Sequence, residues 1–188
     1  EGATIHRQPD TSPLVKKMVV LKKKANDALN AGMAFSIASL SLRHGTLALC
    51  PLPVTRAERA AVGAFAPDLV ISLTRRSEMV ELGAEDWPDW LRAHHIPWRA
   101  FPVEDYGIPP EGADWQGPSE AAAEIFENGG TVLIHCRAGL GRSGMVALRL
   151  MIEAGEDPDS AFARLRATRP GAVETEDQLA WARQATSR

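Results

Sequence analysis

Cys136 and Arg142 are separated by five residues in the segment His135-Cys136-Arg137-Ala138-Gly139-Leu140-Gly141-Arg142-Ser143-Gly144. Two of the five are glycines, and a hydroxyl follows the arginine at once. A thiol, a guanidinium and a glycine-rich turn in this spacing suit one kind of chemistry, nucleophilic attack on a phosphate. A phosphate monoester carries about two negative charges at neutral pH, so an anionic nucleophile is repelled until that charge is neutralised. Backbone N–H groups from Arg137 to Arg142 can curl around the phosphate oxygens, and Gly139 and Gly141 permit the close approach. Arg142 brings a planar fork that matches two oxygens. The same positive field favours the thiolate of Cys136, the form that attacks. Ser143 is placed to donate a hydrogen bond to the sulfur as it leaves in a second step. His135 is read as ordering the loop through backbone hydrogen bonds rather than moving protons.

Such a cradle needs a strand that ends at the cysteine and a helix that starts at the arginine. Thr131-Val132-Leu133-Ile134 is β-branched and apolar, as a strand buried on both faces must be. Met145 to Ile152 reads as a helix. Elsewhere, Phe35–Leu40 and Thr46–Cys50 read as a hairpin turned at His44-Gly45. Thr55 caps a helix through Phe65 with Glu58 as its reciprocal partner. Leu69–Leu73 is a buried strand, 76–83 and 86–95 are short helices, and Trp98–Val103 is a further strand. Residues 104–117 form a loop. Helices follow at 118–128, 142–154, 158–168 and 174–186, and another is expected over 14–31. Strands alternating with helices predict an α/β domain: a central, mostly parallel sheet of four to five strands flanked by helices, with the site at the strands' carboxyl ends. The chain divides into an N-terminal extension, 1–34, partly helical, and a main domain, 35–188.

Bulk properties narrow the classes. A net charge of -3 over 188 residues gives no reason to expect nucleic-acid binding. The lysines at Lys16, Lys17, Lys22, Lys23 and Lys24 read as a solvated helix face. Two cysteines, Cys50 and Cys136, do not make a disulfide framework and suit a reducing compartment. Cys50 reads as a small buried hydrophobe, the alternative being a partner that traps oxidised Cys136 as a disulfide. No apolar run reaches membrane-spanning length, and no signal pattern opens the chain. A cytoplasmic monomer without metal or other cofactor is expected.

The ten-residue segment resembles the H-C-x5-R-[S/T] signature of protein tyrosine and dual-specificity phosphatases. Phe101-Pro102-Val103-Glu104-Asp105 is similar to the segment that bears the general acid in small dual-specificity phosphatases. Arg169-Pro170-Gly171-Ala172-Val173-Glu174-Thr175-Glu176-Asp177-Gln178 resembles the C-terminal segment of the kinase-associated dual-specificity branch and its bacterial relatives. The resemblance runs from about Ser36 to Gln178. It implies a dual-specificity-phosphatase-like fold and hydrolysis through a cysteinyl-phosphate. Cys136, Arg142, Asp105 and Ser143 would be catalytic, and Arg137, Ala138, Gly139, Leu140 and Gly141 would bind the substrate phosphate. Gln178 would position the hydrolytic water, and Glu174 is either a helix cap or a site residue.

In this family an aspartate on a mobile loop protonates the leaving group. Trp87-Pro88-Asp89 spells the letters of that loop in tyrosine phosphatases, but Asp89 falls in the first turn of a helix, where Pro88 and an acid both belong. Asp105 lies 31 residues before Cys136, at a strand end from which its loop leaves on the cradle's side. Asp105 is therefore the expected acid, with Glu104 beside it as a substitute. Trp87, Trp90, Trp98, Trp115 and Trp181 read as core or helix anchors, with Trp115 near enough to the loop to line the pocket.

Other classes fit less well. Gly139-x-Gly141-x-x-Gly144 matches a dinucleotide fingerprint in letters only, because helices and no acid-tipped strand follow. No lysine completes a Walker loop. A rhodanese-like sulfur transferase does not require the Asp105 segment. The expected substrate is a phosphorylated protein or peptide, carrying phosphotyrosine or phosphoserine/threonine. The alternatives are a non-protein phosphomonoester such as a phosphoinositide, or a phospho-binding module without turnover.

Overall fold

A computed structural model of the protein describes residues 35–186. The expected extension 1–34, with its helix over 14–31 and its five lysines, lies outside the described residues. Five strands and seven helices follow in order: β1 (Ala38–Leu42), β2 (Gly45–Pro51), α1 (Arg56–Phe65), β3 (Leu69–Ser72), α2 (Arg76–Glu81), α3 (Trp87–Ala93), β4 (Trp98–Ala100), α4 (Gln116–Glu127), β5 (Thr131–Cys136), α5 (Gly141–Glu153), α6 (Pro158–Thr168) and α7 (Glu176–Arg183).

The strands form one sheet in the order β1-β2-β5-β3-β4. Only β1 and β2 pair antiparallel; β2, β5, β3 and β4 run parallel. β5 is central, with Ile134 between Leu49 and Ile71 and His135 between Cys50 and Ser72. Its unbroken apolar run answers to burial on both faces. Side-chain alternation sends Val132, Ile134 and Cys136 towards one helical layer, with Met145, Leu148, Leu165 and Ala182. Leu133 points into the other, with Val62, Met79, Trp87 and Leu91. α5 is buried all round except at Arg149, so its first turn is fixed against the sheet's carboxyl end.

Several expected boundaries shift for local reasons. The hairpin turns at Arg43, which takes the left-handed conformation (φ 51°), so β1 begins later than Phe35 and buries Leu40 and Leu42. β4 stops at Ala100, before the expected Val103, because Pro102 has no N–H to give the sheet. The chain still follows β3: Phe101 N donates to Ser72 O and Val103 N to Leu73 O. α4 begins at Gln116, where Asp114 Oδ1 accepts from Gly117 N. α1 has the expected Thr55–Glu58 capping box.

Candidate active site

β5 ends at Cys136 and α5 begins at Gly141, leaving four residues to make the cradle. Gly139 has φ +68°, and a Cβ there would lie 2.4 Å from the carbonyl of Cys50. The loop therefore rests directly on the end of β2 and tolerates only glycine. Leu52 N donates to Arg137 O across the same junction. A Cβ on Gly141 would meet Glu174 Oε2 at 2.2 Å, so the Glu174 carboxylate covers the start of α5. Glu174 precedes α7 and does not cap it; that role falls to Thr175, which accepts from Gln178 N.

His135 is fully buried behind the loop. Trp87 Nε1 donates to its Nε2 at 3.0 Å, and Ser72 Oγ shares the same nitrogen while accepting from Trp98 Nε1 at 2.8 Å. His135 thus orders the loop through side chains of α3, β3 and β4, together with a contact to the backbone of Cys136 of the kind expected. Burial above all, with the Arg142 charge adding to it, pushes the imidazole down from near 6.5 to about 3. The ring is neutral at physiological pH and takes no part as an acid.

Arg142 is buried with its guanidinium across two elements. Nη1 and Nη2 donate to Glu78 Oε2 and Oε1 at 2.8 and 2.9 Å, a two-pronged pair with α2. Nη1 also donates to Val103 O at 3.0 Å, and Nη2 lies 3.0 Å from Asp105 Oδ1. Burial opposes both charges. The paired hydrogen bonds outweigh it, holding Glu78 below the usual carboxylate range and Arg142 above its ordinary value. The expected two-oxygen fork on phosphate is therefore turned towards Glu78. The edge left over is Nε–Nη2, and Asp105 stands beside its Nη2.

The Asp105 loop is tied down at three points. Arg75 forms a two-pronged ion pair with Glu104, Arg142 meets Asp105, and Gln178 Nε2 donates to Gly107 O at 3.2 Å. Gln178 Oε1 accepts from Glu174 N, so this fully buried amide links the Gly107 end of the loop to the segment that enters α7. Asp89 lies on the exposed first turn of α3 and pairs with Arg92. Ser143 is fully buried and its Oγ has no hydrogen-bond partner among the described residues. Arg137 and Ala138 are partly exposed at the mouth, and Gly139, Leu140 and Gly141 are buried.

Cys50 is buried, and burial with the neighbouring Cys136 pushes its thiol well up, as befits an inert packing residue. Trp115 packs between Phe101 and Trp181 and donates to Glu153, so it belongs to the core and not to the pocket. Among the described residues no His, Cys, Asp and Glu gather as a metal site, and no helix is long and apolar enough to cross a membrane. Glu78 and Trp87 are the neighbours that sequence reasoning missed. A glutamate three residues into a helix reads as a capping group, and Glu78 does accept from Arg75 N as well.

A buried thiol between the central strand and the buried helix of a parallel sheet, with a pinned arginine and an opposing aspartate loop, defines the architecture of cysteine-based phosphatases. The PTP-SAK family (Swiss Army Knife protein, DSP-PTPase phosphatase domain) matches residues 40–186, and the chain belongs to it. Cyclin-dependent kinase inhibitor 3 of Rattus norvegicus is 32% identical over 103 residues, 53% of this chain and 48% of that protein. Tyrosine-protein phosphatase Lar of Drosophila melanogaster is 35% identical over 83 residues, 39% of this chain and 4% of that protein. The chain thus spans about half the length of the first and a small part of the second. The crystal structure of kinase associated phosphatase, with serine in place of its catalytic-site cysteine, superposes with a TM-score of 0.72 at 24% identity, over 81% of this chain and 94% of that one.

Proposed function

We propose that the chain hydrolyses phosphomonoesters of proteins, phosphotyrosine first and phosphoserine or phosphothreonine second, through a cysteinyl-phosphate. The observation that carries this reading is the convergence of Cys136, Arg142 and Asp105, with the Asp105 carboxylate 3.0 Å from the arginine. A phosphate entering the cradle displaces Asp105 from Nη2 and takes the Nε–Nη2 edge. Cys136 Sγ attacks phosphorus in line; the S–P bond forms, the P–O ester bond breaks, and Asp105 in its acid form gives its proton to the leaving oxygen. Water then attacks phosphorus, returns a proton to Asp105, and releases phosphate and the thiolate. Ser143, with its hydroxyl unengaged, supplies a hydrogen bond to that departing sulfur. Gln178 turns from Gly107 to the water when the loop moves.

The phosphoprotein reading is supported by a loop without lysine at its variable positions Arg137, Ala138, Leu140 and Gly141. It is supported also by the names of the matched relatives, a tyrosine-protein phosphatase and a cyclin-dependent kinase inhibitor. The test is hydrolysis of an aryl phosphate and of a phosphotyrosine peptide in chelator. Turnover that vanadate blocks, and that Cys136→Ser abolishes while phosphate still binds, is the expected result. Peptide binding without turnover in the unmodified chain would make it a recognition module instead.

A further inference from the structure

Every carbonyl of the cradle is held from outside it. Arg137 O accepts from Leu52 N at 3.3 Å, and Leu140 O from Gly144 N at 2.7 Å and Val173 N at 3.4 Å. The two between them are held by one side chain: Arg169 Nη2 donates to Ala138 O and Arg169 Nε to Gly139 O, both at 3.1 Å. Arg169 lies in the bend after α6, is 5% exposed, and anchors its remaining nitrogen on Ser36 Oγ at 3.0 Å. In a trans peptide the C=O and N–H point opposite ways. Drawing the carbonyls of Ala138 and Gly139 outward therefore turns the N–H groups of Gly139 and Leu140 inward. Converging N–H dipoles repel one another while no anion lies among them, so such a loop needs an external hold. A planar guanidinium fixes two adjacent peptide planes at once, which a point-like ammonium does not.

The charge is placed as well as the geometry. Burial works against the Arg169 cation, and a thiolate at Cys136 supports it. Its acceptors in the loop are carbonyls, so its positive charge stays directed at the cradle and the thiol.

We propose that Arg169 is a positioning residue that sets the peptide planes of Ala138–Gly139 and Gly139–Leu140, preforming the cradle for a tetrahedral or planar oxyanion. Its role in turnover rests on the hydrolase reading above; its role in anion capture does not. The experiment compares full-chain wild type, Arg169→Gln and Arg169→Lys by inactivation of Cys136 with iodoacetate and with neutral iodoacetamide. The carboxylate of iodoacetate must seat in the cradle, so the ratio of the two rates reads the cradle itself and not the reactivity of the thiol. Inorganic phosphate as a protecting ligand gives a second reading on the same samples, and thermal melting shows that each variant is folded at the assay temperature.

In Arg169→Gln the iodoacetate preference and the phosphate protection are expected to fall by about ten-fold or more, the range usual for a residue that orients a binding group. Arg169→Lys keeps the charge but not the fork, and is expected to recover less than half of that loss on a logarithmic scale. Folded Arg169→Gln with the wild-type preference overturns the proposal. So does Arg169→Lys with the wild-type preference, since charge alone would then suffice; this variant decides the matter if Arg169→Gln does not fold. A wild type that captures iodoacetate and phosphate but hydrolyses no aryl phosphate overturns the hydrolase reading and leaves this one standing.

Discussion

Trp87 Nε1 donates to Nε2 of His135, so that nitrogen carries no proton and the ring keeps its hydrogen on Nδ1. Because burial holds the folded-state value near 3, the unfolded chain binds a proton between about pH 6.5 and 3 that the folded chain refuses. Stability therefore falls as pH drops through that window and is full above it. At pH 5 the loss from this one group is about 2 kcal/mol relative to neutral pH. Glu78 adds to the acid side, because a carboxyl held below its usual range contributes stability that is lost as pH falls through its folded value. Melting temperature measured from pH 7.5 to 5 should drop in wild type, and the slope should flatten in His135→Gln. An unchanged slope would mean that His135 is not held neutral. The acid can be tested at the same scale. Asp105→Asn should slow esters with poor leaving groups by about 100-fold or more and good ones far less, whereas Asp89→Asn should change neither. The three letters Trp87-Pro88-Asp89 do touch the motif, but through the indole and from behind: Trp87 sets the histidine while Asp89 faces solvent.

Among the elements, those with a strong local pattern were readable in advance. Leu69–Ser72 and Thr131–Cys136 are strands because no other short element absorbs an unbroken apolar run between two helical layers. The start of α1 follows from Thr55 and Glu58 alone. What joins the elements was not readable. Glu78 meets Arg142 across 64 positions, and nothing in Arg76–Glu81 marks it as more than a helical first turn. Nor does Pro102 reveal that the chain continues along β3 after β4 has ended. The pairing makes α2 the element that fixes both halves of the site, Arg142 through Glu78 and the acid loop through Arg75 and Glu104. Glu78→Gln leaves a buried guanidinium without its counter-charge. It should cost about 3 kcal/mol, the lower end for breaking a buried pair. It should also lower kcat/KM by at least about ten-fold under conditions where the protein is folded, because Arg142 then swings off the cradle. Chemical denaturation and steady-state kinetics on the same sample check both effects. Wild-type kcat/KM in folded Glu78→Gln would show that the cradle orients Arg142 without α2.

Across the whole domain, α4 to α7 cover one face of the sheet, and their interior holds a second polar tie far from the cradle. Glu153, at the end of α5, accepts from Trp115 Nε1 at 2.8 Å, from Arg149 Nε at 3.1 Å and from Ser119 Oγ. Arg149 also lies 4.3 Å over the Trp181 ring and donates to Trp181 O, so one carboxylate joins α4, α5 and α7. At 1.5 Å per residue, Glu153 stands about 16 Å along the helix from Arg142. Removing the carboxylate takes the ion-pair partner from a half-buried guanidinium and an acceptor from an indole N–H and a hydroxyl. Glu153→Ala should thus cost about 3–5 kcal/mol, lowering the melting temperature by about 10 °C in a domain of this size. The site itself is fixed from the other layer and from the bend after α6, through Glu78, Trp87 and Arg169. Well below the melting point, kcat/KM of Glu153→Ala should therefore stay within about two-fold of wild type, in contrast with Glu78→Gln. Comparable losses of activity in the two variants at matched folded fraction would show that the α4–α7 layer carries strain to the cradle, and that α5 does not act as the rigid spacer its burial implies.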